Sequence, residues 1–398
     1  MTLFPPLPPE TCRILDGIPA LIDKTFPLPG RFRSTLPRDV AELSRLLTSG
    51  RGERALSYLG RPNLLSAYLR YFLPWNLYRL CRLLPSLDIP LAAGDLITDI
   101  GSGPLTFAAA LWISRPALRS IPLELHCIDQ SGPALEAGKA FFAALAGSGC
   151  LWKIKTIRNS IDGRGALGGR RTKTPQSPAR AEKPAALVCA VNVLNEMYGG
   201  ASRRYSGEPA RGAARSAENA AGLLESFAAP SGSILAVEPG VPQPGEFISL
   251  LRGSLIERNR FPAAPCPHRG TCPLPGGKTR TGKNRWCHFA FETADAPKAL
   301  HTLSAAAGIP KERAVLSFLL TGAAPKPENG GLTVRILSDA FPLPGGLPGR
   351  YGCSERGLVL VTGERTVMRN AHSGALVNAA FTGTEQRDPK SGALMAAL

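Results

Sequence analysis

The sequence is short of acid. Its 398 residues carry 30 Asp and Glu against 47 Lys and Arg, a formal net charge of +17. That imbalance concerns partners rather than fold: a polyanion is the natural complement, and RNA or DNA is commoner than a membrane surface. Long apolar runs are missing too. None approaches the roughly 18 residues that span a bilayer. The opening MTLFPPLPPE has no basic stretch leading into an apolar block, and it is not an Arg-rich amphipathic leader, so a cytoplasmic protein is expected. No His/Ser/Asp arrangement stands out, and the D/N-P-P-Y/F signature of base amino-methylation is not visible. The nine cysteines are an odd number without a secretory signal, which argues against a disulfide framework and for metal binding or redox chemistry.

What is present divides by period. Residues 1–90 read as helical. LPRDVAELSRLL spaces Val40, Leu43, Leu46 and Leu47 along one helix face. Tyr68 to Arg82 alternates aromatics with arginines, which predicts a packed helix with a basic outer face, broken or started at Pro74. Near Leu91 the period changes. DLITDIGSGPLTFAAALWI, ELHCIDQSGPALEAGKAFFAAL, a strand candidate at Trp152–Ile157, AALVCAVNVLNEM and GSILAVEPG alternate strand, turn and helix. That order implies an α/β fold, a Rossmann-type, mostly parallel, doubly wound sheet over 91–260, with the loops after each strand gathered at one edge. The stretches 162–183 and 199–215 are Gly- and Arg-rich without apolar period and read as basic loops. Residues 261–290 read as a cysteine-rich insert. Residues 291–398 read as the end of the core and a β-rich tail from Ala314 onward. Cys127 and Cys189 lie in apolar strand-like runs and read as buried small hydrophobes.

Two stretches carry chemistry. Asp99-Ile-Gly101-Ser-Gly103 follows a strand and opens a helix. Glycines there let a turn bend sharply and approach a ligand without a Cβ in the way. One strand later Asp129 can accept hydrogen bonds from ribose hydroxyls. The D-x-G-x-G opening, without the third glycine of a dinucleotide fingerprint, is similar to S-adenosylmethionine-dependent methyltransferases. Leu105, where such loops often carry glycine, would crowd that cofactor. Asn192, Asn195 and Glu196 fall at the end of the fourth strand, the edge where a substrate-side polar group would sit, or else cap a helix.

In the insert, Cys266, Cys272 and Cys287 sit among turn residues, and Cys353 follows in the tail. Four thiolates suit tetrahedral zinc or an iron–sulfur cluster, and the spacing does not choose. Eight Lys and Arg between Arg252 and Cys287 against the single acid Glu257 would lower the thiol pKa values. His268 and His288 could replace a ligand. Lys278, Arg280, Lys283 and Arg285 could grip phosphates.

FLPWNLYRL (72–80), DIGSGP (99–104), VNVLNEM (191–197), VEPG (237–240), the CPH and RWCHF cysteine stretches and RDPKSGAL (387–394) together resemble the methyltransferase-like assembly factors of the small ribosomal subunit. That family includes methyltransferase-like protein seventeen of mitochondria and bacterial relatives. The resemblance implies a methyltransferase-like fold binding S-adenosylmethionine through Asp99, Gly101, Gly103 and Asp129. It also implies a 4Fe-4S cluster on Cys266, Cys272, Cys287 and Cys353, with small-subunit ribosomal RNA or the ribosome as partner; from the residues alone zinc stays the alternative, and the oligomeric state is open with a monomer favoured. Three readings remain: a non-catalytic or weakly catalytic binder of small-subunit ribosomal RNA, an active RNA methyltransferase, and a zinc-binding RNA-binding protein without catalysis.

Overall fold

Eight strands form the main sheet, in the order β3-β2-β1-β4-β5-β10-β6, with β9 also on β10. They are β1 (Leu96–Ile100), β2 (Glu124–Asp129), β3 (Lys153–Arg158), β4 (Ala185–Val191), β5 (Ala228–Pro239), β6 (Phe261–Ala264), β9 (Phe289–Glu292) and β10 (Arg313–Gly322). The computed structural model describes residues 2–48, 58–159, 183–194, 209–278, 284–324, 331–381 and 383–398. β3, β2, β1, β4 and β5 pair in parallel, and β10 is antiparallel to β5. The central strands are covered on both faces, so their side chains are apolar on both. Leu187 and Cys189 of β4 enter one core with the N-terminal helices, while Val188 and Ala190 enter the other with the helices Pro209–Phe227 and Pro242–Glu257. β3, at the edge, alternates instead and carries Lys153, Lys155 and Arg158, charges that discourage pairing with another chain.

β6 and β9 lie along the same side of β10. Ala264 pairs with Leu320 and Phe289 with Leu316. The edge of the sheet is therefore one strand line interrupted by residues 265–288. This corrects the expected insert boundaries, because 261–264 and 289–292 belong to the sheet. The excursion holds a small hairpin, β7 (Pro275–Lys278) with β8 (Asn284–Trp286). β10 also belongs to the main sheet, so the separate β structure does not begin at Ala314. It is a six-stranded sheet of β11 (Leu332–Ile336), β12 (Phe341–Pro342), β13 (Pro348–Ser354), β14 (Gly357–Thr362), β15 (Leu376–Ala379) and β16 (Leu394–Ala397). Its own core is Val334, Ile336, Val359, Val361 and Met368.

Pro74 starts an α-helix rather than breaking one: it lies in the first turn of the helix Leu73–Leu83. The run from Pro62 to Leu83 is continuous, with a π turn over Tyr68–Phe72 just before the proline, a wider turn where an N–H is missing. The expected basic outer face is overturned. Arg70 Nη2 lies 3.0 Å from Asp23, Arg82 Nη1 lies 2.6 Å from Asp295, and Arg79 donates to Val315 O and Asn192 Oδ1, both at 3.3 Å. These arginines tie the helix to its neighbours because each finds an acceptor inside the fold. Of the two basic loops, 160–182 and 195–208 lie outside the described residues, while Pro209 onward is helical, an Ala-rich turn of helix where a loop was expected. Cys127 and Cys189 are fully buried. Among the described residues no helix is long and apolar enough to cross a membrane.

Candidate functional site

The turn after β1 is bolted to β2: Gly101 N and Ser102 N donate to Ile128 O at 2.8 and 3.0 Å. Gly101 has φ of 71°, and a Cβ there would meet Val193 Cγ2 at 2.3 Å, so only glycine fits. Gly103 N donates to Asp129 Oδ2 at 2.9 Å, and Ser131 N donates to Asp129 Oδ1 at 2.8 Å. Asp129, expected to receive a ribose, thus has both oxygens engaged by backbone and braces two turns. Burial raises its pKa, which these N–H donors oppose.

Leu105 is left-handed, with φ of 58°, and completely buried. Its side chain runs against Gly138, where an added Cβ would lie 2.7 Å from Leu105 Cδ1. The expectation that Leu105 crowds the cofactor is therefore corrected: it points into the core. What faces the turn is a gap of about 10 Å³ lined by Asp99, Ser102, Thr106, Tyr68, Asn76 and Asn192. That is room for about one water. Asp99 Oδ2, Ser102 Oγ and Thr106 Oγ1 are buried there without a hydrogen-bond partner. The other Asp99 oxygen accepts from the Cys189 thiol at 3.3 Å. Burial pushes the Asp99 carboxyl up to about 7, with the Asp129 charge adding to the rise and the Cys189 hydrogen bond opposing it. Asn192, at φ 57°, links this edge to Arg79. Asn195 and Glu196 lie outside the described residues.

The second site is built from three chain segments. Cys266 and Cys272 come from the start of the excursion and Cys287 from its end. Cys353 comes from β13, where it pairs with Arg335 of β11. The thiols lie close enough for Cys266, Cys272 and Cys353 each to raise the pKa of Cys287. Cys353 in turn feels Cys266 and Cys272. All four are free thiols. Among the described residues no three of His, Cys, Asp and Glu stand close enough to hold one metal ion.

Two buried arginines flank the thiols. Arg252, 5% exposed, donates through Nη2 to His268 O at 2.9 Å and Gly270 O at 2.8 Å. Arg335, also 5% exposed, donates through Nε to Pro265 O at 2.9 Å and through Nη1 to Gly374 O at 2.8 Å. They fix the excursion to a helix and to the tail sheet, and their charges oppose the upward shifts of Cys266 and Cys353. Burial nevertheless wins, and Cys266, Cys287 and Cys353 are all raised. The expected lowering by basic neighbours is thus overturned, because desolvating a thiolate outweighs two nearby cations. Sequence reading missed Arg335, since an arginine inside LTVRILSD looks like the solvated position of an alternating strand.

His268 Nε2 lies 3.2 Å from Cys353 Sγ, and burial lowers its pKa to about 4. His288 stacks on Trp286, with ring centroids 4.7 Å apart. The side chains of Lys278, Arg280 and Lys283 lie outside the described residues, while Arg285 donates to Ser391 O at 3.0 Å.

Residues 215–340 match the family model described as mitochondrial small ribosomal subunit Rsm22, a segment that includes Cys266, Cys272 and Cys287. No curated protein matches the chain. Among solved structures, YjhP of E. coli shares 19% identity over 45% of this chain, at a TM-score of 0.24. The chain spans 55% of that protein's length. An S-adenosylmethionine-dependent methyltransferase of Thiobacillus denitrificans, solved with S-adenosylhomocysteine, shares 13% over 63% of this chain and 92% of its own, at 0.31. A class I methyltransferase of Listeria monocytogenes shares 11% over 80% and 90%, at 0.35.

Proposed function

We propose, for a chain that fits an Rsm22-like methyltransferase family, a small-subunit ribosomal RNA binder carrying a 4Fe-4S cluster on Cys266, Cys272, Cys287 and Cys353. The observation that carries this reading is the meeting of four free thiols from the two ends of one excursion and from β13. Their chemistry fits an iron–sulfur cluster, which is held by four cysteine thiolates. When bound, the cluster supplies a covalent tie between the excursion and the tail sheet. The residues of the chain do the rest. Arg252 and Arg335 hold the backbone around the thiols and offset the negative charge that four thiolates bring. Anaerobic purification with iron, sulfide and zinc analysis tests the reading: about four irons and four sulfides per chain are expected, and one zinc without iron would refute it.

The gap at Asp99, Ser102 and Thr106 supports S-adenosylmethionine as a second ligand. Three buried acceptors without partners suit the ammonium of its methionine end, and the cofactor would supply a transferable methyl group. As it stands the gap has room for about one water, so binding requires the wall formed by Tyr68 and Asn76 to draw back. Asp129, Gly101 and Gly103 serve by keeping the turn in shape. This combination favours a fold whose cofactor site is narrowed over one built for rapid turnover.

A further inference from the structure

Between the excursion and the tail sheet lies a cleft of about 750 Å³ that the reading above does not use. Its volume falls within the ~300–1,000 Å³ of small-ligand sites. Two stacked ring pairs line it. Trp286 and His288 come from the excursion, with centroids 4.7 Å apart and planes 21° apart. Phe341 and Tyr351 come from the tail sheet, with centroids 5.0 Å apart and planes 29° apart. All four rings are half-buried, neither spent in a core nor left in solvent.

The excursion's ring pair is rigidly held. Trp286 Nε1 donates to Gly240 O at 3.0 Å, and its indole lies over Gly245, where a Cβ would come within 2.4 Å of Cδ1. The cleft also has cationic walls. Arg285 donates to Ser391 O, a neutral acceptor, and so keeps its charge, and Lys390 is exposed beside it. Arg313 is the exception, bound through both terminal nitrogens to Asp339 at 2.6 and 2.9 Å.

Flat rings that offer a stacking face beside cations that meet phosphate are what an unstacked nucleotide requires. We propose that this cleft takes a nucleobase, with Arg285 and Lys390 on the adjoining phosphates, and that its source is a single-stranded segment of RNA. The inference rests on the RNA-binding reading and gives it a place: the base enters where the cysteine-bearing excursion meets the tail. The occupant follows from the ring pairs together with the +17 charge of the chain. An acidic peptide would use the cations and leave the rings idle.

The test measures binding of the full-length, metal-loaded protein to a fluorescent single-stranded RNA 12-mer across a salt series. Phe341→Leu, which keeps apolar bulk and removes the stacking face, is expected to weaken binding roughly tenfold with the salt slope unchanged. Lys390→Gln, on the surface, is expected to lower the slope by about one. Circular dichroism melts of both variants confirm that the fold is kept. Wild-type-like affinity in Phe341→Leu, with wild type still binding in a salt-dependent way, overturns the cleft and leaves RNA binding intact. AMP and UMP supply the second arm. Their binding to the wild type without any RNA binding shows a free-nucleotide site and overturns the strand as source. No binding of RNA or mononucleotide overturns both readings.

Discussion

At the scale of single residues, Asp99 shows how much a motif leaves unsaid. The sequence announces an acid at the end of a strand, and the type is right for a cofactor turn. What it does not announce is that the carboxyl is 1% exposed, with one oxygen lacking a partner. Burial raises its pKa to about 7, well above that of an ordinary aspartate. For a carboxyl raised on folding, the folded chain keeps its proton while the unfolded chain releases it. Stability therefore falls as pH climbs through the window from about 4 to about 7. The variant Asp99→Asn should gain on wild type across that window in urea titrations, and a constant difference between the two would count against the burial account. S-adenosylmethionine, bringing a cation to the same oxygens, should bind more tightly as pH rises from about 5.5 to about 7.5, a trend lost in Asp99→Asn. Calorimetric titration reads that directly. Asp129 makes the complementary point. Its position was legible, but its bracing of two turns was not, because the Gly103 and Ser131 N–H groups reach its oxygens only once the chain is folded around it.

At the scale of elements, the alternation of β1, β2 and β3 with helices, and of β4 and β5 with the helix Pro209–Phe227, was legible because each strand–turn–helix unit is local in sequence. The interruption of the edge strand was not. Nothing in Phe261–Ala264 or Phe289–Glu292 shows that both will pair with β10, since that register is set by the tertiary partner. The helix boundary near Pro209 failed for a related reason: a Gly- and Arg-rich composition looks like loop until the Ala face of Pro209–Phe227 finds its core at Ala217, Ala220 and Ala221.

Close packing of the turn after β1 gives a further prediction. A Cβ on Gly138 would lie 2.4 Å from the backbone carbon of Pro104, an atom that cannot swing aside. Gly138→Ala should destabilise the chain by roughly 1–3 kcal/mol despite alanine's better helix propensity. Leu105→Gly should also destabilise. The lost burial of about 2 kcal/mol or more exceeds the roughly 1–2 kcal/mol returned by relieving a left-handed leucine. Chemical denaturation measures both, and a stabilised Gly138→Ala protein would show that the turn is looser than described.

At the scale of the whole molecule, the chain joins an eight-stranded, mostly parallel sheet to a six-stranded tail sheet, and the excursion sits between them. Arg285 holds Ser391, Arg335 holds Pro265 and Gly374, and Cys353 meets the excursion's cysteines. The cysteines were visible in the sequence as a set. Arg335, which braces them, became visible only in the fold, because its partners are backbone carbonyls up to 70 residues away. Replacing Cys353 by Ser should therefore do more than lower the iron content. It should loosen the tail, read as faster hydrogen exchange in β11 and β13 with exchange in β1 and β4 unchanged. Uniform protection would mean that the thiols do not link the two sheets.

The proposed RNA partner draws its support from the excess of 17 positive charges and from the match of residues 215–340 to a small-subunit family model. The most direct measurement is the affinity of the metal-loaded chain for small-subunit ribosomal RNA against an unrelated RNA of equal length, over a range of salt. Preferential binding that falls steeply as salt rises, and weakens when the metal is stripped, is the predicted result. Equal affinity for both RNAs, unchanged by stripping, would contradict it.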